Sequence, residues 1–185
     1  MLIAKEPRSP GIFAEAGLAR IIAIGLVVIV AIALQSAVLA RMTLLGVIPQ
    51  LVFVVVVSLA YLDGERVGAV AGFAGGLLQD LLLPLSIVGL TALVYTLIGY
   101  GVGTLRQYTT AESVWTPVFA VTIASAIVEI SYATLAVLLG QQWVSISYTL
   151  KVIGLIVLYN TLLTPFVFPL IRKVASRFRP QRVYG

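Results

Sequence analysis

The chain has 185 residues, of which 61% are hydrophobic and only 10% charged, and it carries a net charge of +5. Soluble domains have roughly a quarter of their residues charged, so this composition cannot coat a water-facing surface, and it specifies an integral membrane protein with a mean hydropathy of +1.11. Cysteine and histidine are absent, which excludes disulfides, thiolate chemistry, Cys/His metal sites and Ser-His or Cys-His nucleophiles.

Crossing about 30 Å of hydrocarbon takes roughly 20 apolar residues in a helix. The uncharged run 21–40, "IIAIGLVVIVAIALQSAVLA", forms span one. Its end, "SAVLA", resembles a signal-peptide cleavage site, but the apolar run is too long for an h-region and more spans follow, so an uncleaved helix is expected. Span two lies between Arg41 and Asp63, with "IPQLVFVVVVSLAYL" as its core. The valines suit a buried strand in water, but an open strand in lipid leaves backbone groups unpaired, so a helix is expected. The polar turn "DGER" (63–66) leads to span three, from Val67 to Leu83, which stops at Pro84. Span four, "SIVGLTALVYTLIGYGVGTL", ends at Arg106, span five runs from Ser113 to Leu139, and span six covers residues 152–171.

Placing the N-terminus inside puts Lys5, Arg8, Arg20, Arg66, Arg106, Arg172, Lys173, Arg177, Arg179 and Arg182 in the cytoplasm. Only Arg41 and Lys151 fall outside, a strong positive-inside asymmetry. The expectation is an all-α, polytopic six-transmembrane-helix bundle with both termini cytoplasmic. It divides into a cytoplasmic segment (1–20), the transmembrane domain (21–171) and a basic cytoplasmic tail (172–185). The net positive charge reads as this orientation bias and as attraction to the lipid bilayer, with no nucleic acid partner. No P-loop, dinucleotide fingerprint or HExxH motif is present. No catalytic residue, metal ligand or cofactor is expected.

Span three carries Gly64, Gly68, Gly72 and Gly76 at four-residue intervals, followed by Asp80. Span four has its own spaced set, Thr91, Tyr95, Gly99 and Gly103. Small residues on one helical stripe let a second helix approach closely, so either spans three and four pack through Gly68, Gly72, Gly76, Gly99 and Gly103, or a partner's helix uses that face. Intramembrane acids are expensive and normally face the bundle interior. By helical rise, Asp80 and Glu129 lie roughly 20–25 Å from the inner ends of spans three and five, in the outer half of the membrane. Three readings of them stand open: structural hydrogen bonding or pairing with Arg41 and Lys151, recognition of a partner, or a proton or cation relay. In span six, Pro165 and Pro169 predict a kink near Thr161 to Thr164, with Asn160 placed to satisfy a freed backbone group or bridge helices.

The stretch "DGERVGAVAGFAGGLLQDLLLPLSIVGLTALVYTLIGYGVGTLR" (63–106) resembles the central region of the bacterial rod shape-determining MreD family. Gly68, Gly72, Phe73, Gly76, Leu77, Leu78 and Asp80 match its glycine-rich run ending in an acid. "YNTLLTPFVFPLIRK" (159–173) is similar to the family's closing helix. The resemblance implies a non-enzymatic scaffold of the cell-elongation complex, or elongasome, in the bacterial cytoplasmic membrane. Such a scaffold supports side-wall peptidoglycan synthesis and cell shape. It implies as partners an MreC-like single-span protein, a RodA-like glycosyltransferase with its class B penicillin-binding protein, and, indirectly, the MreB filament. It also implies a fold related to the substrate-binding subunits of energy-coupling-factor transporters, which makes a vitamin- or small-molecule-binding subunit the alternative.

Overall fold

The computed structural model describes residues 18–37, 46–82, 87–108, 115–140 and 145–177. Six α-helices follow one another, with no β-strand among the described residues. They are α1 (Leu18–Ala37), α2 (Leu51–Asp63), α3 (Glu65–Leu82), α4 (Leu90–Leu105), α5 (Trp115–Leu138) and α6 (Ile146–Arg177), with a 3-10 turn at Arg106–Tyr108 after α4. By length and composition, three of these are able to cross a membrane unaided: α1 from Arg20, α5 and α6.

The short helix α2 is the axis of the molecule. Its 13 residues, "LVFVVVVSLAYLD", are buried from Val52 to Leu62 on every side. It touches all five other helices. Valine is a modest helix former in water, and in an apolar interior the need to pair every backbone N–H and C=O overrides that preference. A helix hydrophobic all round belongs inside a bundle. The expected span two differs at its start, because Ile48, Pro49 and Gln50 are not helical. Proline has no N–H and fixes φ, and the helix begins only after it.

The remaining contacts fix the direction of each helix. Arg20, opening α1, pairs with Asp63, closing α2, at 2.7 Å, so these two run antiparallel. Along α3 the residues Gly68, Gly72 and Gly76 face Gly99, Tyr95 and Ala92 of α4 in reverse order. Thr122 and Ser125 of α5 meet Thr161 and Asn160 of α6, again antiparallel. The start of α2 meets Asn160 through the Gln50 N–H, and its end meets Phe168 through an edge-on Tyr61 contact with ring centroids 5.8 Å apart, so α6 runs alongside α2 in the same direction. Consecutive helices therefore alternate, and the start of α1 and the end of α6 lie at the same end of the bundle.

Helix α6 is longer than the expected span six, beginning at Ile146 and ending at Arg177. Its 32 residues extend over about 48 Å, well past a hydrocarbon core of about 30 Å. The helix continues through Pro165 and Pro169. Just before them, Thr161 and Thr164 hydroxyls donate to the carbonyls of Val157 and Asn160, both at 2.7 Å. The outside of the bundle is apolar: Leu26, Phe73, Leu97, Ile123, Leu162 and Phe166 are all exposed. In water such a surface would aggregate; here it is the lipid-facing side.

Candidate functional site

A helix that starts inside a membrane bundle presents free N–H groups where no water can reach them. Helix α2 has this problem, and side chains from other helices solve it. The backbone N–H of Gln50, the residue preceding α2, donates to Asn160 Oδ1 of α6 at 3.0 Å. The N–H of Val52 donates to Gln35 Oε1 of α1 at 2.9 Å. Asn160 is fully buried, and its amide Nδ2 donates onward to Ser125 Oγ of α5 at 3.1 Å.

Gln50 joins this frame to Glu129. Its side-chain Nε2 donates to Glu129 Oε1 of α5 at 2.7 Å. Its Oε1 accepts the Tyr95 hydroxyl of α4 at 3.2 Å, while the Tyr95 ring packs at a tilt against Phe53 with centroids 5.1 Å apart. One amide side chain thus links α2, α4 and α5, and its backbone links α6. An amide suits this place because it donates and accepts at once. Glu129 is 9% exposed, and its hydrogen bond from a neutral donor offsets part of the cost of burying a carboxyl group.

Asp80 sits in a second junction. It is 1% exposed. Its Oδ2 accepts the backbone N–H groups of Gly89 at 2.9 Å, Thr91 at 3.1 Å and Ala92 at 3.3 Å. Gly89, which precedes α4, has φ of 96° and no capping side chain of its own. The carboxylate from α3 takes that role, facing the positive end of the α4 dipole. Gly76, one turn before Asp80, makes the approach possible: a Cβ there would lie 2.6 Å from the Ala92 Cα. Gly103 is packed in the same way against Glu65 and Gly64 at the other end of the seam.

The structure thus brings Glu129 and Asn160 into one network, which Tyr95 joins through Gln50, and places Asp80 in a separate junction at the start of α4. Of the two cations considered as their partners, Lys151 is exposed, and Arg41 lies outside the described residues. Sequence reasoning missed Gln50, Gln35 and Ser125. The rule applied to the acids, that a polar group in an apolar run marks a contact, applied equally to Gln50 in "IPQLVF". It also missed the Arg20–Asp63 pair, whose members lie 17% and 1% exposed. Among the described residues no group of three or more His, Cys, Asp or Glu side chains is placed to hold a metal ion.

Fold and site together define a helical membrane protein whose interior polar groups cap and join its helices. The chain matches the family model described as rod shape-determining protein MreD over residues 18–174, and it belongs to that family. Membership assigns it a role in determining rod shape. No curated protein and no solved structure matches the chain.

Proposed function

We propose that the protein is a non-catalytic, six-span scaffold of the cell-elongation complex in the bacterial cytoplasmic membrane. It holds an MreC-like single-span protein and, with it, a RodA-like glycosyltransferase, its class B penicillin-binding protein and, indirectly, the MreB filament. In this way it supports side-wall peptidoglycan synthesis. Family membership is the observation that carries this reading. The interior favours it as well, because Gln50, Asn160, Ser125 and Asp80 are engaged in joining helices. A braced bundle of this kind offers its partners a fixed outer surface.

Both termini are cytoplasmic in this proposal. The ends of α1 and α6 lie together, and Arg20, Arg66, Arg106, Arg172, Lys173 and Arg177 belong to that end, against Lys151 at the other. That asymmetry supports the orientation, with residues 1–20 and 172–185 as flanking cytoplasmic segments and 21–171 as the membrane domain. Gly68, Gly72, Gly76, Gly99 and Gly103 serve packing within the bundle, leaving other helix faces for partners. Pro165 and Pro169 shape the closing helix.

A second reading, a substrate-binding subunit like those of energy-coupling-factor transporters, has one observation in its favour. A cavity of about 190 Å³ opens among Gln35, Ser36 and Gln79, and Gln79 Oε1 is buried with no hydrogen-bond partner among the described residues. Co-purification in mild detergent separates the two. The scaffold is expected to carry an MreC-like protein with it; no association together with tight binding of a vitamin would overturn the scaffold reading.

A further inference from the structure

A cleft of about 340 Å³ lies between α4 and α5. Leu97, Leu105, Phe119 and Ile127 form its walls, Tyr61 of α2 belongs to its lining, and Arg106 lies at one end. Each of those four wall residues is exposed, so the cleft opens sideways into the hydrocarbon. A recess this large is not left empty in a bilayer, because its lining would forfeit its dispersion contacts.

Length and charge identify what fills it. Along α4 the lining runs from Leu97 to Leu105, and along α5 from Thr116 to Ile127, or about 12 and 16 Å of helix. That matches one leaflet, half of a hydrocarbon core of about 30 Å. A partner's transmembrane helix would run the full thickness. The shallow end of the cleft is the end where α2 and α4 finish and α5 begins. Tyr108 and Trp115 stand exposed there, as aromatic side chains do at headgroup depth. Arg106 is at this end, with exposed Arg66 at the same level. An apolar slot one leaflet deep with an arginine at its end is complementary to an anionic amphiphile. Arginine has five N–H donors, so it is able to bind a phosphate alongside an internal partner, and its fork matches phosphate oxygens.

We propose that this cleft is a binding site for an anionic glycerophospholipid, with an acyl chain between α4 and α5 and its phosphate on Arg106. The site differs from the lipid annulus around the bundle because its occupant touches three helices at once.

Native mass spectrometry of the full chain, released from bilayers containing phosphatidylglycerol and phosphatidylcholine, tests this. Phosphatidylglycerol is expected to stay bound under detergent washing that strips phosphatidylcholine. Arg106→Gln lowers its retention about tenfold, the loss expected for one charge-assisted hydrogen bond. Gly101→Phe fills the cleft and abolishes retention, since Gly101 lines the cleft and a Cβ there meets no atom within 4 Å. Gly154→Phe, at an equally open glycine on α6, leaves retention unchanged. Equal retention of both lipids, or retention untouched by Arg106→Gln and Gly101→Phe, overturns the proposal. So does a photo-reactive side chain at Leu97 that cross-links in native membranes to another protein's helix instead of lipid.

Discussion

Gly68 of α3 and Gly99 of α4 meet backbone against backbone, and a Cβ added to either would collide with the other's carbonyl group. Neither side of that contact is a flexible side chain able to move away. Gly68→Ala and Gly99→Ala are therefore each expected to destabilise the bundle by about 1–3 kcal/mol, the usual cost of overpacking. Gly101→Ala, on the same helix but facing open space, should be neutral or stabilise by up to about 1 kcal/mol. Unfolding in micelles with a denaturing detergent measures all three. Equal stability of Gly68→Ala and Gly101→Ala would show that α3 and α4 do not pack at this seam.

Asp80 is the carboxylate that completes α4, and its substitutions separate charge from hydrogen bonding. Asp80→Ala leaves three backbone donors without their acceptor, a loss of about 3 kcal/mol. Asp80→Asn keeps an oxygen in place and loses only the charge, so about 1 kcal/mol is expected. The same unfolding measurement ranks them. If alanine and asparagine are equally damaging, the charge itself is what α4 requires.

The location of these groups was legible to different degrees. The acid in "GLLQD" and the four-residue glycine spacing mark one helical face, and that face does lie against α4. Helix count and order were readable for the same reason, since apolar runs bounded by charges must be helices in lipid. Gln50 was not legible. It sits in an apolar run that reads as the middle of a span, and its partners Glu129 and Asn160 are far along the chain. Periodicity reports which face a residue occupies and says nothing about what comes to meet it. The late start of α2 was hidden for a related reason: a helix is able to begin inside an apolar bundle only if other helices supply its caps. Gln35 and Asn160 supply them from opposite ends of the sequence.

Glu129 gives a test that distinguishes a brace from a proton relay. In Glu129→Gln the amide oxygen still accepts from Gln50 Nε2, and no charge has to be buried. Stability should stay within about 1 kcal/mol of the original or rise. Glu129→Leu strands the Gln50 donor, at a cost of about 2 kcal/mol. Cell width in a strain depending on each variant provides the functional readout. A brace predicts normal rods for glutamine and defective rods for leucine; loss of rod shape in Glu129→Gln, with the folded protein at normal levels, would favour a titrating role.

The Arg20–Asp63 pair joins the start of α1 to the end of α2, and the two partners are not equivalent. The Asp63 side chain is 1% exposed and that of Arg20 17%, so the Arg20 side chain keeps some access to its surroundings while the Asp63 carboxylate does not. Removing the cation deprives a buried carboxylate of a counter-charge at 2.7 Å, whereas removing the anion leaves an arginine that turns outward. Arg20→Gln is thus expected to cost about 2 kcal/mol, below the full penalty for breaking a fully buried pair, and Asp63→Asn less. A double-mutant cycle isolates the coupling: Arg20→Gln combined with Asp63→Asn should be more stable than Arg20→Gln alone. If the double variant loses the sum of the two single losses, the pair contributes no coupling, and the antiparallel registration of α1 on α2 rests on their apolar contact alone.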